Sequence, residues 1–129
     1  MKAENDAKKP RILCVDDSDD FCVLITGLLR DYDVQCARGV REGLIRFRSD
    51  EFELVVLDYQ LLDGEGTEFS RAVRDEGSDV PIIMITVSYQ LTDAAAAAAG
   101  IQKVLRKLKR GFAAELKNSV DQFIKSKAA

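Results

Sequence analysis

The sequence has no histidine. That removes the commonest general base and metal ligand, and the chain cannot itself be a histidine phosphodonor. No apolar run approaches the roughly 18 residues needed to cross a bilayer, and the opening MKAENDAKKP lacks the apolar stretch of a secretory signal. We therefore expect no membrane insertion and a cytoplasmic location. Positive charge is not in excess: 19 Lys and Arg stand against 22 Asp and Glu, a net charge of −3. The chain has no general attraction for nucleic acid or anionic lipid, and no direct nucleic-acid partner is expected. Cysteine is scarce and odd in number. Cys14, Cys22 and Cys36 lie in apolar segments without C-x-x-C spacing, so the expectation is three buried free thiols.

What is present suits one globular domain. The chain has 129 residues, 47% hydrophobic and 32% charged, enough for a real core. A polar, flexible tail is expected over residues 1 to 9 and a single domain over residues 10 to 129. RILCV (11 to 15) reads as a short buried strand, followed by Phe21, Leu24, Ile25, Leu28 and Leu29 at helical spacing. That pattern predicts a helix from about Asp19 to Arg30 with Ser18 as its N-cap. VQCA (34 to 37) is the next strand, and Val40, Leu44 and Phe47 mark the next helix. FELVVLD (52 to 58) is continuously apolar, as a strand buried on both faces would be.

YQLLDGEG is expected to be a loop, and Phe69, Ala72 and Val73 mark a third helix stopping near Gly77. IIMIT (82 to 86) is another doubly buried strand. DAAAAAAG reads as a helix capped by Thr92 or Asp93, KVLR (103 to 106) as a fifth strand, and Phe112, Leu116, Val120, Phe123 and Ile124 as one stripe of a last helix. Alternating strands and helices predict an α/β fold: a five-stranded parallel sheet with helices on both faces.

In such sheets the site lies beyond the carboxyl ends of the strands. Asp16 and Asp17 follow the first strand, Asp58 ends the third, Thr86 ends the fourth and Lys107 follows the fifth. Asp16, Asp17 and Asp58 together would make an oxygen-rich pocket for a hard divalent cation, Mg2+. Asp19 and Asp20 are assigned instead to the first helical turn, where the helix dipole favours them. An aspartate beside a cation and a lysine can act as a nucleophile toward phosphorus, with Thr86 donating to a phosphoryl oxygen.

The acidic pair after the first strand, LVVLD ending in Asp58, IIMIT ending in Thr86, a lysine after the fifth strand and Gly66 resemble, in that order, a response-regulator receiver domain of the CheY-like, flavodoxin-like kind. The resemblance implies the strand order 2-1-3-4-5 and a phosphoacceptor module of a two-component phosphorelay. Asp58 would take a phosphoryl group from a sensor histidine kinase or phosphotransfer protein. Asp17 would ligate Mg2+ directly, Asp16 mostly through water, and Gln60 through its main-chain carbonyl. A downstream effector protein would read the face formed by the fourth helix, fifth strand and fifth helix.

Several positions depart from the family pattern. Leu108 stands where proline usually follows the lysine. A cis bond before a non-proline residue costs roughly 3 kcal/mol, so this loop is expected to be trans and rerouted, leaving Lys107 and Lys109 both open as the site cation. Val104 replaces the usual Tyr or Phe, Leu62 a proline, and Val87 a smaller residue at the pocket mouth. The alternative function is therefore a receiver-like protein-interaction module whose output is phosphate-independent or uncoupled. A small phosphatase with an aspartyl nucleophile fits less well, because its usual second aspartate would fall at Gln60.

Overall fold

The computed structural model describes residues 9 to 128. All of the expected flexible tail except Lys9 lies outside the described residues. Five strands form one parallel sheet: β1 (Arg11–Val15), β2 (Asp33–Ala37), β3 (Leu54–Asp58), β4 (Ile82–Thr86) and β5 (Lys103–Arg106), in spatial order β2-β1-β3-β4-β5. The helices are α1 (Asp19–Leu28), α2 (Val40–Ser49), α3 (Gly66–Asp75), α4 (Asp93–Ala98) and α5 (Phe112–Ala128). Parallel strands force each connection to cross the sheet, and the helices do so on both faces.

Alternation along the strands explains the two-sided core. Leu13, Val15, Val55, Leu57, Ile82 and Met84 pack on one face with Phe69 and Val73 of α3. Ile12, Cys14, Leu54, Val56, Ile83, Ile85 and Leu105 pack on the other with Ile25 of α1 and Phe112, Leu116 and Val120 of α5. Each such side chain is fully or almost fully buried, a gain of roughly 1.5 to 3 kcal/mol apiece relative to exposure.

Several boundaries differ from the expectation. Helix α1 ends at Leu28, two residues early, because the backbone leaves helical geometry at Leu29 (φ −109, ψ 46), whose amide makes the last bond back to Ile25 O; Leu24 is 48% exposed rather than part of the buried stripe. Strand β3 starts at Leu54, not at residue 52. Thr92, not Asp93, caps α4, its hydroxyl accepting from the Ala95 amide. The tail of α4 is held from α3: Ser70 Oγ donates to Ala99 O at 2.6 Å, and the Arg74 guanidinium donates to Gly100 O.

Two features overturn the sequence reading. The segment read as a loop folds into an antiparallel ribbon, Gln60–Leu61 against Gly64–Glu65. Gly64 has φ +153, which a side chain tolerates poorly, and so closes the turn. The three cysteines are also not all free thiols. Cys14 is a buried free thiol, but Cys22 of α1 and Cys36 of β2 form a disulfide, their Cα atoms 6.5 Å apart. Helical and strand geometry turn these two side chains toward each other across the α1–sheet contact, which a spacing of 14 residues in sequence does not reveal.

Candidate functional site

The sheet hydrogen bonds run one residue past the strand ends and thereby set the site. The Asp16 amide donates to Ala37 O (2.9 Å), the Tyr59 amide to Ile85 O (3.2 Å) and the Lys107 amide to Thr86 O (2.9 Å). Asp16 continues the alternation of Ile12 and Cys14, Asp58 that of Leu54 and Val56, and Lys107 that of Leu105. All three therefore leave the sheet toward the α1 and α5 face, at its carboxyl edge.

Asp16, Asp17 and Asp58 each offer a carboxylate oxygen within 4.8 Å of the others. Asp16 (3% exposed) and Asp58 (7%) are buried, while Asp17 is partly open. Lys107 Nζ lies 3.0 Å from Asp16 Oδ2 and 3.4 Å from Asp58 Oδ2. The same ammonium sits over the Phe21 ring, 4.2 Å from its centroid, so an aromatic face holds the side of the lysine turned away from the acids. Leu108 after it points to solvent, and no peptide among the described residues is cis. Lys107 thus reaches the acids through its sheet bond to Thr86, while Lys109 is exposed in the following turn.

Burial pushes the Asp58 carboxyl up to about 6, with the nearby Asp16 charge adding to the rise and Lys107 opposing it. On the same edge, burial together with the Asp16 charge pushes the Cys14 thiol to about 12, so it stays protonated and inert. Asp16 also accepts from the Ser18 amide (2.9 Å), and Ser18 Oγ caps α1 by accepting from the Phe21 amide (3.1 Å). One short segment therefore connects the acidic pair, the cap and the ring beneath the lysine.

Thr86 is buried, and its Oγ1 accepts from the Ser88 amide at 2.9 Å. That bond uses a lone pair and leaves the hydroxyl proton free to donate. Gln60 is exposed in the ribbon, paired with Glu65 two residues beyond Asp58.

Sequence reasoning missed Phe21, which it placed only in the core stripe. It also missed Asp63, whose carboxylate accepts from the Val40 and Arg41 amides (2.8 and 3.0 Å) and caps α2 in place of Gly39. Those amide bonds hold the Asp63 carboxyl below the usual range. The only available signal was an aspartate beside a turn glycine, which does not name a helix 23 residues away.

Gly66 opens α3 against the end of β3. Its amide donates to Tyr59 O at 2.6 Å, and a Cβ there would collide with the Asp58 carbonyl oxygen and come within 2.8 Å of Met84 Cε. Gly66→Ala is accordingly expected to lower stability by about 1 to 3 kcal/mol in urea unfolding.

The sequence profile of the response regulator receiver domain matches residues 12 to 120. The chain belongs to the response regulator receiver domain family. As a receiver domain it is 33% identical over 78 residues to the regulatory protein VanRB of Enterococcus faecalis, covering 59% of this chain and 35% of that protein. It is 36% identical over 88 residues to the probable transcriptional regulator ycf27 of Porphyra purpurea, covering 67% and 36%. It is 31% identical over 88 residues to the sensor histidine kinase GacS of Pseudomonas protegens, covering 62% of this chain and 10% of that protein. The receiver domain thus spans about a third or less of the length of these relatives.

Among solved structures, a two-component response regulator from Clostridium difficile superposes with a TM-score of 0.83 at 21% identity, covering 94% of this chain and 100% of that one. The Vibrio cholerae chemotaxis protein CheY4 superposes with a TM-score of 0.79 at 24% identity, covering 89% and 98%. At these identities the likeness establishes the CheY-like fold. No helix among the described residues is long and apolar enough to cross a membrane.

The acidic cluster of this receiver domain fits magnesium by its chemistry. Three hard oxygen donors converge, two of them already balanced by Lys107, and the partly open Asp17 leaves room for the waters that magnesium keeps.

Proposed function

We propose that this receiver domain takes a phosphoryl group on Asp58 from a phosphohistidine of a sensor kinase or phosphotransfer protein. The observation that carries the reading is Lys107 Nζ shared between Asp16 and Asp58 at the rim where Asp17 also converges. An Asp58 carboxylate oxygen forms the new bond to phosphorus as the bond from phosphorus to the donor nitrogen breaks, and the donor imidazole retains its electron pair. Burial makes Asp58 poorly solvated and hence more reactive, and Lys107 holds its charged form in place. Thr86 donates its free hydroxyl proton to a phosphoryl oxygen.

Asp17, Asp16, Asp58 and the Gln60 carbonyl would hold Mg2+, which supplies positive charge against the phosphoryl oxygens. The output surface is the face of α4, β5 and α5, read by an effector protein. The module is proposed to act in the cytoplasm, and its net charge of −3 gives it no general attraction for nucleic acid.

A second reading, output uncoupled from phosphate, has one observation in its favour. Val104 packs against the core without a ring to move, while the Arg106 guanidinium donates to Ser88 O (2.7 Å) and Leu91 O (3.4 Å) and lies over the Tyr89 ring. The loop between β4 and α4 is therefore tied down before any phosphoryl group arrives.

Intact mass after incubation with Mg2+ and a small acyl-phosphate donor tests the main reading. The expected result is one phosphoryl adduct, labile to base, that Asp58→Asn lacks. An adduct that survives Asp58→Asn counts against it. An adduct without spectral change on the α4, β5 and α5 face favours the uncoupled reading.

A further inference from the structure

The Cys22–Cys36 disulfide joins the helix next to the site to the edge strand β2, whose last residue, Ala37, accepts the Asp16 amide. Its Cα separation of 6.5 Å lies within the range that native disulfides adopt, so the backbone holds both residues in bonding position. Both residues are only partly buried. Cys22 also lines an open, mainly apolar recess of about 530 Å³ with Asp19, Val23, Thr26 and Gly27, so the helix face that carries it is open to solvent. The third cysteine cannot compete. Cys14 is the register neighbour of Cys36 on β1, but it is fully buried beneath α1.

Position gives the bond its consequence. Cys22 directly follows Phe21, the ring beneath Lys107, and its amide donates to Ser18 O (3.1 Å) in the turn that Asp16 also holds. The bond therefore fixes the first turn of α1 to β2 one residue from the lysine's aromatic support. We propose that Cys22 and Cys36 form a reversible redox cross-link that sets the position of α1, and through Phe21 that of Lys107, against the acidic site.

Reduction begins when an external thiolate of the glutathione class attacks Cys22 Sγ. Cys36 leaves as a thiolate and takes a proton. A second external thiolate attacks the mixed disulfide, releasing Cys22 and a low-molecular-weight disulfide. Two electrons and two protons have then passed to the protein, and oxidation by that same class of disulfide reverses each step.

The consequence for phosphoryl uptake rests on the proposed function, whereas the movement of α1 does not. The 129-residue chain is poised in mixtures of glutathione and its disulfide, and amide hydrogen exchange is read by mass across residues 19 to 28 and residues 66 to 75. Reduction is expected to speed exchange about tenfold or more in α1 while leaving α3 unchanged, and to slow acyl-phosphate uptake several-fold. Cys22→Ser and Cys36→Ser should each behave as the reduced protein and stop responding to glutathione disulfide.

Reduced wild-type protein supplies the same comparison should either variant fail to fold. Equal exchange of α1 in the oxidised and reduced protein overturns the proposal, as does failure of glutathione disulfide to link Cys22 to Cys36. If α1 responds but Asp58 takes no phosphoryl group, the cross-link stands and only the phosphoacceptor reading falls.

Discussion

Asp58→Asn is expected to stabilise the metal-free protein at about pH 7.5 by on the order of 2 to 3 kcal/mol, and to change its stability little at about pH 3.5. The folded state lifts the Asp58 carboxyl from its ordinary 3.8 to about 6, so folding favours the protonated form. Below the ordinary value both folded and unfolded chains carry the proton and no penalty exists. As pH rises from there to about 6, the unfolded chain ionises first, and the wild type progressively loses stability that asparagine keeps. Above about 6 the deficit is complete.

Lys107 does not reverse the sign, because without Asp58 it keeps its 3.0 Å pair with Asp16. Thermal unfolding in EDTA at a series of pH values measures the difference. Added Mg2+ should then raise the wild type more than the variant, since a ligand stabilises the state that binds it. An Asn variant that is less stable than wild type at about pH 7.5 in EDTA would mean that Asp58 is neither buried nor crowded as described.

The second large effect belongs to Lys107. Lys107→Ala leaves the buried Asp16 and Asp58 facing one another without their cation, and breaking a buried pair in this way costs about 3 kcal/mol or more in metal-free protein. Phosphoryl uptake should fall about 100-fold, the usual consequence of removing one donor from a preorganised charge site. Lys107→Arg restores the charge but not the compact ammonium that fits over Phe21, and should recover stability better than rate. Lys109→Ala, altering only an exposed turn, should leave both unchanged. Paired measurements of unfolding and of uptake by mass separate these outcomes. Equal loss in the Lys107 and Lys109 variants would assign the cation role to the basic run rather than to one side chain.

Both expectations depend on a sheet whose edge is dictated by simple periodicity. Doubly apolar runs such as LVVLD and IIMIT can be buried only between two helical layers, and their alternation delivers Asp58 and Thr86 to one rim. That much was legible because burial leaves a direct mark on composition. The position of Lys107 was less so. Leu108 argued for a rerouted loop, yet the lysine is placed by a backbone bond to Thr86, and backbone bonds do not depend on the residue that follows.

The ribbon at residues 60 to 65, the Asp63 cap on α2 and the Cys22–Cys36 bond were not legible for a common reason. Each joins residues through the relative placement of elements, and no local pattern encodes that placement. Cys22 illustrates it well: on the helix its neighbours suggest an apolar thiol, and only the packing of α1 against β2 supplies a partner.

The most direct test of the proposed phosphoacceptor site is to mark any residue that takes a phosphoryl group. An acyl phosphate on aspartate is reduced by borohydride to homoserine, which peptide sequencing by mass locates. After treatment with Mg2+ and an acyl-phosphate donor, homoserine should be found at position 58 alone. Homoserine at Asp16 or Asp17, or none in a chain that has gained a phosphoryl mass, would contradict the account.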